Sequence, residues 1–179
     1  MSDQKKLKFL KSINGLDYYL FYPSLGKWFF KNWDGYKEDI EKHSKKQKMR
    51  MFLEWIWGGY SVYYISLNDE LVGYVLIASG GRRITCSTRK DIVLGPYYIL
   101  KEKRGLGLMS KALTAVLHDL DLLYENAYCY IKKDNVASLR TAIKSGFEIV
   151  GQAEMRGKLR KLFLTDNKNS NFYIVKYKK

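Results

Sequence analysis

Cysteine and histidine are scarce in this chain: Cys86, Cys129, His43 and His118 are the only ones among 179 residues. Neither cysteine stands in a Cys-x-x-Cys pair or a Cys/His cluster. That excludes a structural zinc site and reads as reduced thiols in a cytoplasmic protein. No apolar run approaches the ~20 residues of a membrane-spanning helix, and the charged stretch 1–11 is not followed by a signal-peptide core. Gly-Lys-Ser/Thr occurs nowhere, so a P-loop is excluded; Ser110 stands where a dinucleotide fingerprint needs its third glycine. Repeats and low-complexity tracts are missing, as are an arginine-rich helix and any RNA-binding signature. Acidic residues are also in deficit, 18 against 32 Lys and Arg, for a formal charge of +14. Nucleic acid, an anionic membrane surface and acidic small molecules compete to explain that charge. The basic residues are scattered through 42–50, 82–90, 101–111, 156–161 and 176–179, which favours a solvated surface with a local anion site.

What is present is a chain of one-domain length with 15 Tyr and 4 Trp, enough to bury a core. Residues 7–22 read as a first strand ended by Pro23 and Gly26. Residues 27–57 are mostly helical, with Gly35 and a charge run interrupting them. Their aromatics Trp28, Phe29, Phe30, Trp33, Trp55 and Trp57 read first as packing for helices on a sheet. The competing reading is an aromatic wall for a flat, partly apolar ligand. Residues 61–67 and 71–79 form a hairpin about Asn68-Asp69-Glu70, and 80–90 reads as a basic loop or a frayed strand pair. A turn at 121–126, a strand at 127–131, a helix from Asp134, and strands at 147–155 and 171–178 complete an α/β chain with a mixed central sheet.

The centre of the sequence is 91–120. An apolar, β-branched strand over 92–100 runs into a basic turn, 101–107, holding Gly105 and Gly107. From Leu108 the apolar stripe Leu108, Met109, Ala112, Leu113, Val116, Leu117 and Leu120 makes an amphipathic helix. Glycine admits a ligand close to the backbone, and a helix start offers unpaired N–H groups with partial positive charge. Arg104 adds a forked, permanently charged contact. Together these predict a site for a phosphorylated small molecule.

This stretch resembles motif A of the GCN5-related N-acetyltransferase (GNAT) superfamily, Arg/Gln-x-x-Gly-x-Gly/Ala, with Arg104 and Gly107 matching and Met109 departing at the last position. Residues 134–147, with Asn135, Ser138, Gly146 and Phe147, are similar to the family's motif B at matching spacing. The resemblance implies a GNAT-type acyl-CoA N-acyltransferase fold, a mixed sheet flanked by helices with splayed central strands, and acetyl-CoA as co-substrate without a metal. It further implies a cofactor set of Ile99, Leu100, Arg104, Gly105, Leu106, Gly107, Leu108, Met109, Ser110 and Asn135. In that set Met109 narrows the loop, and Ile99 and Leu100 pair their backbones with pantetheine. Asn135 also reads as a helix cap.

Amide formation from a thioester needs a neutral amine, oxyanion stabilisation and a proton for the thiolate. The motif B position where many relatives carry a tyrosine acid is Ala142 here. Tyr128, Cys129 and Tyr130 on the neighbouring strand are the substitutes, Tyr130 first. Asp91, opening the central strand on the same face as Val93, is the candidate base, balanced against ion pairing with Arg89 or Lys90. Glu54 is a second candidate; its bland reading is a solvated helix face. His118 and His43 read as a helix-end charge and a solvated residue. The expected acceptor is a small-molecule amine, an amino sugar or nucleotide-linked amino sugar. Protein N-terminal acetylation and a non-catalytic module binding nucleic acid are the alternatives, with nucleic acid and membrane not the favoured partners and a homodimer left open.

Overall fold

The computed structural model describes residues 7–25, 45–118, 120–157 and 160–179. Trp28, Phe29, Phe30, Trp33, His43 and the side chain of Trp57 lie outside the described residues. The strands are β1 (Lys8–Ile13), β2 (Leu16–Phe21), β3 (Tyr60–Leu67), β4 (Glu70–Ser79), β5 (Ile92–Ile99), β6 (Asn126–Lys132), β7 (Glu148–Arg156), β8 (Lys161–Thr165) and β9 (Phe172–Lys178). The helices are α1 (Lys45–Trp57), α2 (Leu108–His118) and α3 (Val136–Lys144). All the strands join one sheet in the order β1-β2-β3-β4-β5-β6-β9-β7-β8. The named pairings are antiparallel apart from β5 with β6, which is parallel. Among the described residues no helix is long and apolar enough to cross a membrane.

Period-two alternation sorts the first strands onto two faces. Leu16, Tyr18, Leu20, Tyr63, Ile65, Val72 and Val75 face the main core, where α2 buries Leu108, Met109, Ala112, Leu113, Val116 and Leu117. Phe21, Val62, Tyr64, Leu71, Tyr74 and Leu76 face the other way, against Met51 and Trp55 of α1. A third cluster, with Ile84, Val93, Tyr128, Leu162 and Ile174, lies under the loop 80–91.

Two elements differ from the sequence reading. The single N-terminal strand is a hairpin: Asn14-Gly15 turns the chain back, so Ile13 pairs with Leu16 and Lys8 with Leu20. Asn-Gly is a strong two-residue hairpin signal, and the alternation across it is continuous enough to pass for one strand. The basic segment before the last strand contains β8, which pairs Met155 with Leu162 and Ala153 with Leu164.

Candidate active site

The parallel pairing of β5 with β6 is short. Ile92 meets Ala127 and Val93 meets Tyr128, and there the register ends. Beyond it the two strands part, and their C-terminal halves leave a cleft through the sheet. Leu100 donates its N–H to the Val72 carbonyl at 2.8 Å. By strand alternation the backbone groups of Tyr97 and Ile99 then turn the other way, toward β6 and the cleft. This corrects the expectation for Leu100: its N–H belongs to the sheet, and its side chain packs with the α1-side core. Ile99 lies on the cleft side of β5.

On one side of the cleft lies a cavity of about 770 Å³. Of the residues named from the sequence, Ile99, Arg104, Gly105, Gly107, Leu108, Met109, Ser110 and Asn135 line it, and Leu106 does not. Leu106 is 60% exposed on the outside of the turn. Gly107 has φ +70°, a left-handed conformation that a side chain would strain, and a Cβ there would meet nothing within 4 Å. The backbone is therefore bare to the cavity. α2 starts immediately after it, with Lys111 N–H on the Gly107 carbonyl at 3.1 Å, so the N–H groups of residues 108–110 have no earlier turn to bond to. Met109 does not narrow the loop, because its side chain is buried in the main core. Arg104 is held over the Tyr98 ring, 5.1 Å from its centroid, and its Nε donates to the Ile99 carbonyl at 3.0 Å. Asn135 caps α3 by accepting from Ser138 N–H at 3.1 Å. Sequence reasoning missed Lys103, Arg140 and Lys144 on the same walls. The signal was there for two of them, since Arg140 and Lys144 are four apart on one helix face.

Through the cleft, two smaller chambers adjoin it. One, about 350 Å³, is lined by Tyr74, Tyr97, Tyr98, Tyr130, Glu54, Arg82 and Arg83 among others. The other, about 360 Å³, shares Arg83, Pro96, Tyr97 and Tyr130 and extends to Lys132, Met155, Arg160 and Phe172. Arg83 divides them. One of its terminal nitrogens donates to the Tyr130 hydroxyl at 2.6 Å and the other pairs with the Glu54 carboxylate. Burial works against the Arg83 charge, but Tyr130 and Glu54 together outweigh it and raise its pKa above the ordinary value. Burial, with Tyr98 adding to it, pushes Tyr74 up to about 12, so it presents a neutral hydroxyl.

The loop 80–91 sets Arg83 in place. Leu162 N–H donates to the Arg83 carbonyl at 2.8 Å, and Thr85 N–H donates to the Leu162 carbonyl at 3.0 Å. The loop is thus strapped onto β8. Asp91 closes the strap, which corrects its assignment as a base. It is 2% exposed, and its carboxylate accepts from Thr88 N–H, Thr88 Oγ1, Asn126 N–H and Asn126 Nδ2 at 2.7–3.0 Å. Burial alone would raise its pKa; these hydrogen bonds prevail and hold it below the ordinary value. A carboxylate so occupied makes a poor proton acceptor. Glu54, in contrast, is a half-buried wall residue of the first chamber rather than part of a solvated face.

Tyr130 lines both chambers. Tyr128 points to the third cluster, and Cys129 is buried in the main core with its thiol pKa pushed up by burial. His118 sits at the opposite end of α2 from the site, 3.0 Å from the Tyr177 hydroxyl. Among the described residues no group of three His, Cys, Asp or Glu is arranged to hold a metal.

Comparison with known proteins agrees with this geometry. A family model described as an acetyltransferase (GNAT) domain matches residues 20–148. No curated protein sequence is a match. Among solved structures, the apo ribosomal L7/L12 alpha-N-protein acetyltransferase RimL superposes with a TM-score of 0.60 at 15% identity, covering 97% of this chain and 95% of its own. An aminoglycoside acetyltransferase in complex with coenzyme A and kanamycin gives 0.55 at 15% identity, covering 76% and 77%. The microcin C7 self-immunity acetyltransferase in complex with acetyl-CoA and AMP gives 0.51 at 14%, covering 75% and 68%. The strand parting, the bare glycine turn at a helix start and the matched family model together make this chain a member of the GNAT family of N-acetyltransferases.

Proposed function

We propose that this chain transfers the acetyl group of acetyl-CoA directly to the amine of a small molecule, an amino sugar or nucleotide-linked amino sugar. The observation that carries the reading is the parting of β5 from β6 after Val93, which joins a basic cavity to an aromatic one through the sheet. The large cavity fits a pyrophosphate: bare backbone at Gly105 and Gly107, the first N–H groups of α2, and the cations Lys103, Arg104, Arg140 and Lys144. When bound, acetyl-CoA supplies an acyl carbon activated as a thioester. The backbone of Tyr97 and Ile99 edges the cleft where its arm would lie.

In the transfer, the amine nitrogen bonds to the acyl carbon and the carbon–sulfur bond breaks. One proton leaves nitrogen and one joins the thiolate. Glu54 is the acidic side chain among the described residues of the first chamber, so it receives the amine and takes its proton directly or through a water. Tyr130 gives its proton to the departing thiolate. Its oxygen already accepts from Arg83, which leaves its own proton to be donated elsewhere and steadies the charge that remains. The tyrosine walls suit the faces of a sugar ring.

Calorimetric titration of acetyl-CoA and of free CoA, with Arg104→Ala beside the parent, tests the first half. Removing a charged donor costs about 1.5–3 kcal/mol, so binding should weaken roughly 10- to 100-fold in the variant. No binding to folded protein overturns the reading. Thiol release with amino sugars and with short peptides then separates a small-molecule acceptor from a protein N-terminus.

A further inference from the structure

The two acceptor-side chambers are unbalanced in charge. Arg82, Arg83, Lys132 and Arg160 line them, against Glu54 among the described residues, and Glu54 is already paired with Arg83. A purely cationic amine entering this space meets an excess of like charge. Lys132 and Arg160 are both exposed, and no carboxylate among the described residues lies within ion-pair distance of either. The neighbouring Lys133 differs: its Nζ is tied to Gln152 and, at 2.8 Å, to the Lys168 carbonyl. The Arg160 side chain donates from Nε to the Met155 sulfur at 3.0 Å. Lys132 stands two residues beyond Tyr130 on β6, so the two share a face and lie roughly 7 Å apart along the strand. Pro96, Met155 and Phe172 supply apolar walls between them.

Resting on the acetyl-transfer reading above, we propose that the acceptor amine also carries a phosphoryl group, which Lys132 and Arg160 hold in the second chamber. A lysine point charge beside an arginine fork is a phosphate-binding pair. The spacing along β6 then sets the substrate's length: about one sugar ring separates the amine at Glu54 and Tyr130 from the phosphoryl group. Arg83 marks the boundary between the two ends.

The test first saturates the protein with CoA, which fills the cofactor's own anion site, and then titrates inorganic pyrophosphate by calorimetry. The parent should bind it, and a Lys132→Ala/Arg160→Ala double variant should bind at least tenfold more weakly while its CoA affinity is unchanged. In the same format glucosamine 6-phosphate should bind at least tenfold tighter than glucosamine. No pyrophosphate binding, equal binding in the double variant, or equal binding of the two sugars overturns the proposal. Failure of CoA to bind at the loading step instead overturns the acetyl-transfer reading, and this one with it.

Discussion

At the scale of single residues, the site turns on which side chains are free to exchange a proton and which are spent on structure. Asp91 is spent. Its depressed pKa means that its carboxylate stabilises the fold above its unfolded pKa of about 3.9, and that this contribution is lost as pH falls through the lower folded value. Asp91→Ala orphans the Thr88 and Asn126 donors and should cost about 2–4 kcal/mol at pH 7, with the gap to the parent closing below about pH 4. Urea unfolding at pH 7 and pH 3 measures it; an unchanged midpoint at pH 7 would return Asp91 to the list of catalytic candidates. In the proposed mechanism Tyr130 is the opposite case. Tyr130→Phe should lower kcat roughly 10²-fold or more, with KM for acetyl-CoA unchanged. A variant with parental kcat would show that thiolate release needs no acid from β6. Tyr130 was legible because it lies on the strand next to the motif; its partners were not. Arg83 reaches it across 47 positions of chain, Glu54 reaches Arg83 across 29, and no local pattern announces such a meeting.

Elements were legible where pattern and chemistry coincide within one window. The strand, glycine turn and helix of 91–120 obey three local rules at once, and α2 starts at Leu108 as its apolar stripe requires. The motif B helix starts after an asparagine cap for the same reason. β8 was not legible, because a five-residue strand at a sheet edge, half exposed and rich in lysine nearby, lacks the alternation of a buried one. The stretch 80–90 was read as a loop or a frayed strand pair; it is a loop with a single bridge from Ile84 to Leu162, and that contact with β8 lies outside any local pattern. Gly80 makes the strap's closest approach: a Cβ there would fall 2.3 Å from the Thr88 carbonyl oxygen and 2.9 Å from that of Asp91, both backbone. Gly80→Ala should therefore cost about 2–3 kcal/mol, roughly 4–12 °C in Tm, and shift Arg83 away from Tyr130. The signature of the strap's role is a fall in kcat larger than that of Tyr130→Phe, with acetyl-CoA binding intact. Lower stability with parental kcat would make the strap purely structural.

Across the whole molecule the charge of +14 is arranged as well as abundant. Four cations gather on the large cavity and four more on the two smaller chambers. Concave, low-dielectric walls of one sign focus field and speed the arrival of a polyanion. This arrangement separates the enzyme reading from that of a basic module binding polynucleotide, which composition alone left standing. A field focused into cavities acts on small anions that can enter, and salt should weaken it in a characteristic way. Between about 50 mM and 500 mM ionic strength the Debye length falls from roughly 14 Å to 4 Å, so long-range steering is lost while direct contacts survive. The acetyl-CoA association rate should drop about tenfold over that range, with the dissociation rate changing far less. Stopped-flow binding resolves the two. Duplex DNA added at 150 mM salt should leave both rates unchanged, because a phosphate backbone cannot enter the cleft. A dissociation rate that carries the salt effect would mean that affinity rests on surface charge instead. DNA that displaces acetyl-CoA under those conditions would return the basic surface to the centre of this protein's function.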